Sequence, residues 1–276
     1  MPGLSDYKGT LVHSGAYPED LDCTGKKVGL IGAGATAVQI TQELGKVASE
    51  LTVFLRRPSY CLPMGQRQMS EEEQRNWKSF YPALFDSGRQ SRAGFPSRGV
   101  DKSVLEATPE EREELWERLW ARGGFHFMLS AYNDVLMNPE SNRLVYDFWA
   151  EKVKQRLKDP KKQAIMVPET PPYYFGTKRF PLEADYYDVL ERDNVKIVDL
   201  NANPLKNFEE KGMRMEDGEL SEFDVVVLAT GFDSFTGSLT NMGLKNKDGV
   251  DLREMWKDGV FTHLGLAISG FPNMFM

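Results

Sequence analysis

The sequence predicts an α/β domain with a parallel core sheet. Three observations carry that expectation. Lys27-Val28-Gly29-Leu30-Ile31 is a short apolar run of strand type, and Leu51-Thr52-Val53-Phe54-Leu55 is a second. Between them, residues 37–47 place Val38, Leu44 and Val47 at helical spacing. A strand, a helix and a strand within crossover length pair in parallel. Further runs, Val195-Lys196-Ile197-Val198-Asp199 and Phe223-Asp224-Val225-Val226-Val227-Leu228-Ala229-Thr230-Gly231, read as additional strands of the same kind.

The turn between the first strand and the helix carries chemistry. Gly32-x-Gly34-x-x-Ala37 follows the strand, and Ala35 and Thr36 lead into the helix. The first glycine permits a tight turn, the second lets a pyrophosphate approach the backbone, and the small third residue lets helix and strand pack closely. The helix N-terminus then offers unpaired N–H groups and partial positive charge to phosphates. This is a Rossmann-like dinucleotide site. A tight turn with no ligand would show the same spacing, but the flanking elements all agree with the nucleotide reading.

The end of the second strand selects the nucleotide. An NAD site places Asp or Glu about 20 residues beyond the first glycine, where it binds the ribose hydroxyl. Here Arg56-Arg57 stands in that region instead. A guanidinium fork can hold a 2′-phosphate through charge-assisted bonds. NADP is therefore expected over NAD, against the simpler alternative of a solvated arginine pair.

Outside this unit the chain changes texture. Residues 1–24 read as an irregular lead-in punctuated by Gly9, Gly15 and Pro18. Residues 64–165, approximately, read as a mostly helical insertion. Ser70 and Thr108 are helix-start signals, each followed by acids in the first turn. Leu115, Trp116, Leu119 and Trp120 recur at helical spacing, as do Phe148, Trp149, Val153 and Leu157, with Asp159-Pro160 as a stop. Residues 87–99 are rich in Gly, Ser and Arg. Residues 213–220 suggest a hairpin turning at Asp217-Gly218, and residues 252–256 a short helix.

Bulk properties exclude several classes. A net charge of −7 leaves no general attraction for nucleic acid or anionic membranes. Cys23 and Cys61 form no C-x-x-C pair, and His13, His126 and His263 are scattered, so no metal site is expected. No signal peptide or membrane-length apolar run is visible, so the chain reads as soluble and cytoplasmic.

Several segments resemble one enzyme family. Tyr7-x-Gly9-x-x-x-His13-x-x-x-Tyr17-Pro18 is similar to the fingerprint F-x-G-x-x-x-H-x-x-x-W-[PD] of class B flavoprotein monooxygenases of the Baeyer–Villiger type. Two aromatics differ: Tyr7 stands for Phe and Tyr17 for Trp. Lys178-Arg179-x-Pro181-Leu182 resembles the family's K-R-x-P-L segment, and Ala229-Thr230-Gly231-Phe232-Asp233 its A-T-G-[FY]-D segment. The order and spacing of these motifs carry the resemblance nearly end to end.

The resemblance implies an activity and roles. Such enzymes use FAD, NADPH and oxygen to insert one oxygen atom into a ketone, giving an ester or lactone. By position, Arg179 would be the catalytic cation beside the flavin, a charge that guanidinium keeps at any working pH. Lys178 and Arg56, with Arg57 adjacent, would grip the 2′-phosphate. Gly32, Gly34, Ala35, Thr36 and Ala37 would hold the pyrophosphate, and His13 would sit in a linker that couples domain movement to turnover.

The same resemblance implies a division of the chain. Residues 1–24 are the fingerprint segment, 25–222 the NADP domain with its insertion, and 223–276 an incomplete return segment of an FAD domain. No second glycine-rich βα turn is visible, so the FAD site is expected to be incomplete. Three readings follow: a truncated monooxygenase, a stand-alone NADP-binding protein without flavin chemistry, or one component of a split enzyme with a separate FAD-domain chain. Residues 7–18 and 223–276 are expected to leave an apolar patch that favours self-association.

Overall fold

The computed structural model describes residues 1–91, 93–233 and 236–276; Arg92, in the Gly/Ser/Arg-rich stretch, lies outside the described residues. The chain forms two compact units, Met1–Thr230 and Gly231–Met276.

The first unit is built on a five-stranded parallel sheet. Its strands are β1 (Thr10–His13), β2 (Lys27–Ile31), β3 (Glu50–Leu55), β6 (Val195–Asp199) and β10 (Val225–Leu228), in the order β1-β10-β2-β3-β6. Helix α1 (Ala35–Val47) makes the crossover from β2 to β3. The apolar runs of β2, β3 and β10 follow from burial on both faces, as covered parallel strands require. Side chains alternate across β10: Val225 and Val227 join one core, Val226 and Leu228 the other.

Helices cover one face, except that residues 71–90 form a helix in which only Gly88 is buried. After the short strand β4 (Leu62–Pro63) come α2 (Glu71–Gln90), α3 (Pro109–Arg122), α4 (His126–Leu129), α5 (Pro139–Lys154) and α6 (Pro160–Met166). Ser70 caps α2 by accepting from the Glu73 amide, and Thr108 and Glu111 form a reciprocal capping box on α3. Asp159-Pro160 does not stop a helix. The Asp159 carboxylate caps the Lys161 and Lys162 amides, Pro160 takes the first helical position, and together they start α6. Strand β5 (Leu182–Glu183) pairs in parallel with β4. The short helix α7 (Tyr186–Glu191) then packs on α1.

The opposite face is covered by an antiparallel meander, β7 (Leu205–Glu209), β8 (Gly212–Met215) and β9 (Leu220–Glu222). Phe208, Met213 and Met215 from it pack with Tyr7, Ile31, Phe54 and Phe223. The turn at Gly218 is where the sequence suggests it. Strand β7 was not expected, because it alternates charge and bulk with only Phe208 fully buried.

One expectation changes here. The lead-in is not wholly irregular: Thr10–His13 forms the sheet edge, pairing with Val225–Leu228. Strand β10 sits between β1 and β2, within the compact unit Met1–Thr230. Tyr7, Val12, Phe223 and all of β10 are buried in this unit, so they add nothing to an exposed patch.

The second unit contains α8 (Gly237–Asn241) and α9 (Leu252–Met255) around a small core of Leu252, Trp256, Ile268 and Phe271. Phe261, Leu264 and Phe275 are exposed. The 270–276 end is turns and one bridge, Ala267 with Phe275, rather than a strand. Among the described residues no helix is long and apolar enough to cross a membrane.

Candidate dinucleotide site at the carboxyl edge of the sheet

Ligands of open parallel sheets bind beyond the carboxyl ends of the strands. The glycine-rich turn lies there, after β2. Gly32 has φ +140°, and a Cβ on it would fall 2.3 Å from the Ala229 carbonyl oxygen. The protein's own packing therefore requires this glycine, where β2 and β10 end side by side. Gly34 differs. Its backbone is ordinary, φ −74°, and a Cβ on it would meet nothing within 4 Å. No packing contact requires a glycine here.

Helix α1 starts at this point. Gly34 caps it without a side chain, and no acidic residue stands in its first turn. The N–H groups of Ala35, Thr36 and Ala37 precede the first helical hydrogen bond, from the Val38 amide to the Gly34 carbonyl. Ala37 is itself buried in the core between helix and sheet. The turn thus presents unpaired donors and a positive helix end to open space.

The arginine segment is tied to the turn. Arg56 and Arg57 follow β3 with exposed side chains, and neither guanidinium has a protein partner among the described residues. The Arg56 carbonyl accepts from Asn201 Nδ2. An open cleft of about 570 Å³ adjoins Arg56, between the ends of β3 and β6 and the residues after α6. Two residues beyond Arg57, the Ser59 hydroxyl donates to the Ala33 carbonyl inside the glycine-rich turn.

The Lys178 segment arrives at the same place. The Tyr173 hydroxyl donates to the Pro58 carbonyl at 2.8 Å, and the Tyr60 hydroxyl donates back to the Tyr173 carbonyl at 3.0 Å. The two rings stack with centroids 4.4 Å apart. Burial pushes the Tyr173 phenol up to about 12, so it remains a protonated donor. The Lys178 ammonium lies 4.3 Å from the centroid of the Tyr173 ring. Turn, arginine segment and Lys178 segment are thus joined by named contacts. Arg179 is exposed next to Lys178, and among the described residues its guanidinium has no partner.

Two buried devices hold that segment. Asn142 donates to the Phe175 and Val135 carbonyls, each at 2.8 Å, and accepts from the Phe175 amide at 2.9 Å. Beyond Arg179, the buried Glu183 carboxylate is gripped by Arg156, which also reaches Asp188. Sequence reading missed Tyr173, Ser59, Asn142 and Arg156 because their partners lie far along the chain and no local pattern marks them.

The fingerprint residues divide between the ends of β1. His13 closes the strand at the carboxyl edge, where its Nδ1 accepts from the Gly15 amide at 3.2 Å. Tyr7 and Gly9 lie at the opposite end. The Tyr7 hydroxyl donates to the Phe223 carbonyl at 2.9 Å, and a Cβ on Gly9 would strike that hydroxyl. Tyr17 lies against Cys23, its oxygen 3.8 Å from the sulfur, and Pro18 is exposed. Tyr7, Gly9 and Tyr17 therefore make packing contacts in this chain, and His13 lies at the carboxyl edge of the sheet. Among the described residues no cluster of metal-ligating side chains exists.

The model of the flavin-binding monooxygenase-like family matches residues 1–70. The FAD-binding monooxygenase acrE of Aspergillus aculeatus is 42% identical over 274 residues, covering 99% of this chain and 46% of that protein. Cyclopentanone 1,2-monooxygenase of Comamonas sp. is 39% identical over 275 residues, covering 99% of this chain and 50% of that protein. A crystal structure of OTEMO in complex with FAD and NADP superposes with a TM-score of 0.91 at 37% identity, covering 100% of this chain and 51% of that one. Over its whole length the chain is similar to flavoprotein monooxygenases, Baeyer–Villiger monooxygenases among them. It spans about half the length of these relatives. The parallel sheet and its helical cover form a Rossmann-like fold, as in that solved structure.

Proposed function

We propose that this chain is the NADP-binding portion of an FAD- and NADPH-dependent monooxygenase that inserts oxygen into a small ketone. One observation carries the reading: contacts from Ser59 and Tyr173 join the glycine-rich turn, the Arg56-Arg57 segment and the Lys178-Arg179 segment at the carboxyl edge of the sheet. The space at Gly34 and the unpaired amides of α1 suit a pyrophosphate. Among the described residues Arg56, Arg57 and Lys178 are cations without carboxylate partners, which suits a 2′-phosphate.

NADPH supplies a hydride when bound. The chain's own residues orient it: the turn fixes the pyrophosphate, the cations fix the adenosine end, and Arg179 offers a permanent positive charge beside them. The flavin fits less well. The described residues contain one glycine-rich turn of this type, and the nicotinamide dinucleotide takes it. No step is therefore derived through FAD, whose place rests on the family. Two buried free cysteines suit a reducing compartment, and we place the protein in the cytoplasm.

The test is displacement of fluorescent NADPH from the purified chain. Adenosine 2′,5′-bisphosphate should compete, and adenosine 5′-monophosphate should compete at least about tenfold more weakly. No NADPH binding, or equal competition by the two nucleotides, overturns the reading.

A further inference from the structure

Lys178 makes no ion pair with a carboxylate among the described residues; what it has is the face of Tyr173. A lysine ammonium on four rotatable bonds is a mobile charge, and an anion site gains from having it fixed in advance. At 4.3 Å from the ring centroid it is well inside cation–π range. The ring itself cannot swing freely. It stacks on Tyr60, and its hydroxyl is bonded to the Pro58 carbonyl, two residues past Arg56. The fully buried Tyr60 ring in turn packs against Tyr146, Trp149 and Phe175. A tyrosine serving only as core filler has no need to carry a cation on one face and bridge to another strand end with its hydroxyl.

We propose that Tyr173 is a positioning residue for 2′-phosphate selection, its ring holding the Lys178 ammonium and its hydroxyl fixing that ring to the Arg56–Pro58 strand end. This rests on the NADP reading above. The ring is the essential part, because the cation–π contact survives loss of the hydroxyl. The effect passes through Lys178, so removing Lys178 removes it.

The experiment is calorimetric titration of NADP⁺ and NAD⁺ into the full chain and its Tyr173→Leu, Tyr173→Phe, Lys178→Ala and Tyr173→Leu/Lys178→Ala variants. Tyr173→Leu should weaken NADP⁺ by about fivefold to thirtyfold and leave NAD⁺ within about twofold. Tyr173→Phe should keep NADP⁺ within about threefold of wild type. The double variant should bind NADP⁺ no more weakly than Lys178→Ala alone. Equal losses for both dinucleotides, or a further loss in the Lys178→Ala background, would mean that Tyr173 acts on the fold at large and overturn the inference. Should Tyr173→Leu fail to fold, Tyr173→Phe decides: a loss as large as that of Lys178→Ala overturns the role of the ring. A wild type that binds NADP⁺ and NAD⁺ equally overturns the NADP reading and this inference with it. A discriminating wild type matched by an equally discriminating Tyr173→Leu overturns the inference alone.

Discussion

The Ser59 hydroxyl donates to the Ala33 carbonyl, and this bond sets the strand end that carries Arg56 and Arg57 against the turn that carries Gly32 and Gly34. Such a bond contributes about 0.5–1.5 kcal/mol. Ser59→Ala should weaken NADP⁺ binding by up to about tenfold while changing the melting temperature little. Titration against thermal unfolding separates the two. A large fall in melting temperature with unchanged affinity would show that the bond serves the fold and not the site.

The two turn glycines should behave oppositely. Gly32→Ala forces a side chain into the Ala229 carbonyl at a positive φ, and should cost at least about 2 kcal/mol of stability. Gly34→Ala fills empty space at an ordinary backbone conformation and should leave stability within about 1 kcal/mol of wild type. Its loss should appear in dinucleotide affinity. Denaturant unfolding with parallel NADP⁺ titration checks both, and a Gly34→Ala chain with wild-type affinity would remove the pyrophosphate from this turn.

Arg56→Ala should weaken NADP⁺ by about tenfold to a hundredfold, the worth of a charge-assisted contact of about 1.5–3 kcal/mol. NAD⁺ binding should barely change. Equal losses for the two dinucleotides would contradict the 2′-phosphate assignment.

Asp134 gives a pH prediction. Burial raises its pKa, but the Ser103 and Ser141 hydroxyls, each at 2.6 Å, and the Val104 amide hold the carboxylate below its usual range overall. A depressed folded-state pKa contributes stability that is present above the unfolded value, about 3.9, and lost as pH falls through the folded one. Melting temperature should therefore drop as pH is lowered below about 4, and Asp134→Asn should flatten that part of the profile at the cost of stability at neutral pH. A variant with an unchanged acid limb would exclude Asp134 as a contributor.

The second unit leaves Phe261 at 73% exposure, Leu264 at 81% and Phe275 at 77%, apolar groups that water solvates poorly. Concentration-dependent association should be visible by light scattering and should weaken in a Phe261→Ser/Leu264→Ser/Phe275→Ser variant. A chain that stays monomeric at high concentration would contradict this.

The parallel sheet and the turn were legible because their signals are local. Strand, glycine spacing and helix follow one another within residues 27–47, and burial on both faces leaves no polar side chain in Val28–Ile31 or β10. The position of β10 was not legible, because the order of strands in a sheet leaves no mark on any one strand. The edge strand Thr10–His13 was missed since only Val12 is buried in it. At the site, Arg56 and Lys178 could be named from their motifs. What brings them together could not, since Tyr173 meets Pro58 and Tyr60 across more than a hundred residues of chain.

On the proposed reading, three distant segments form one dinucleotide site. Amide hydrogen exchange of the chain with and without NADP⁺ tests it most directly, since bound backbone is protected from opening. Protection rising together in residues 32–38, 56–60 and 173–179 is the predicted result. Protection confined to the glycine-rich turn, with residues 173–179 exchanging as before, would contradict it.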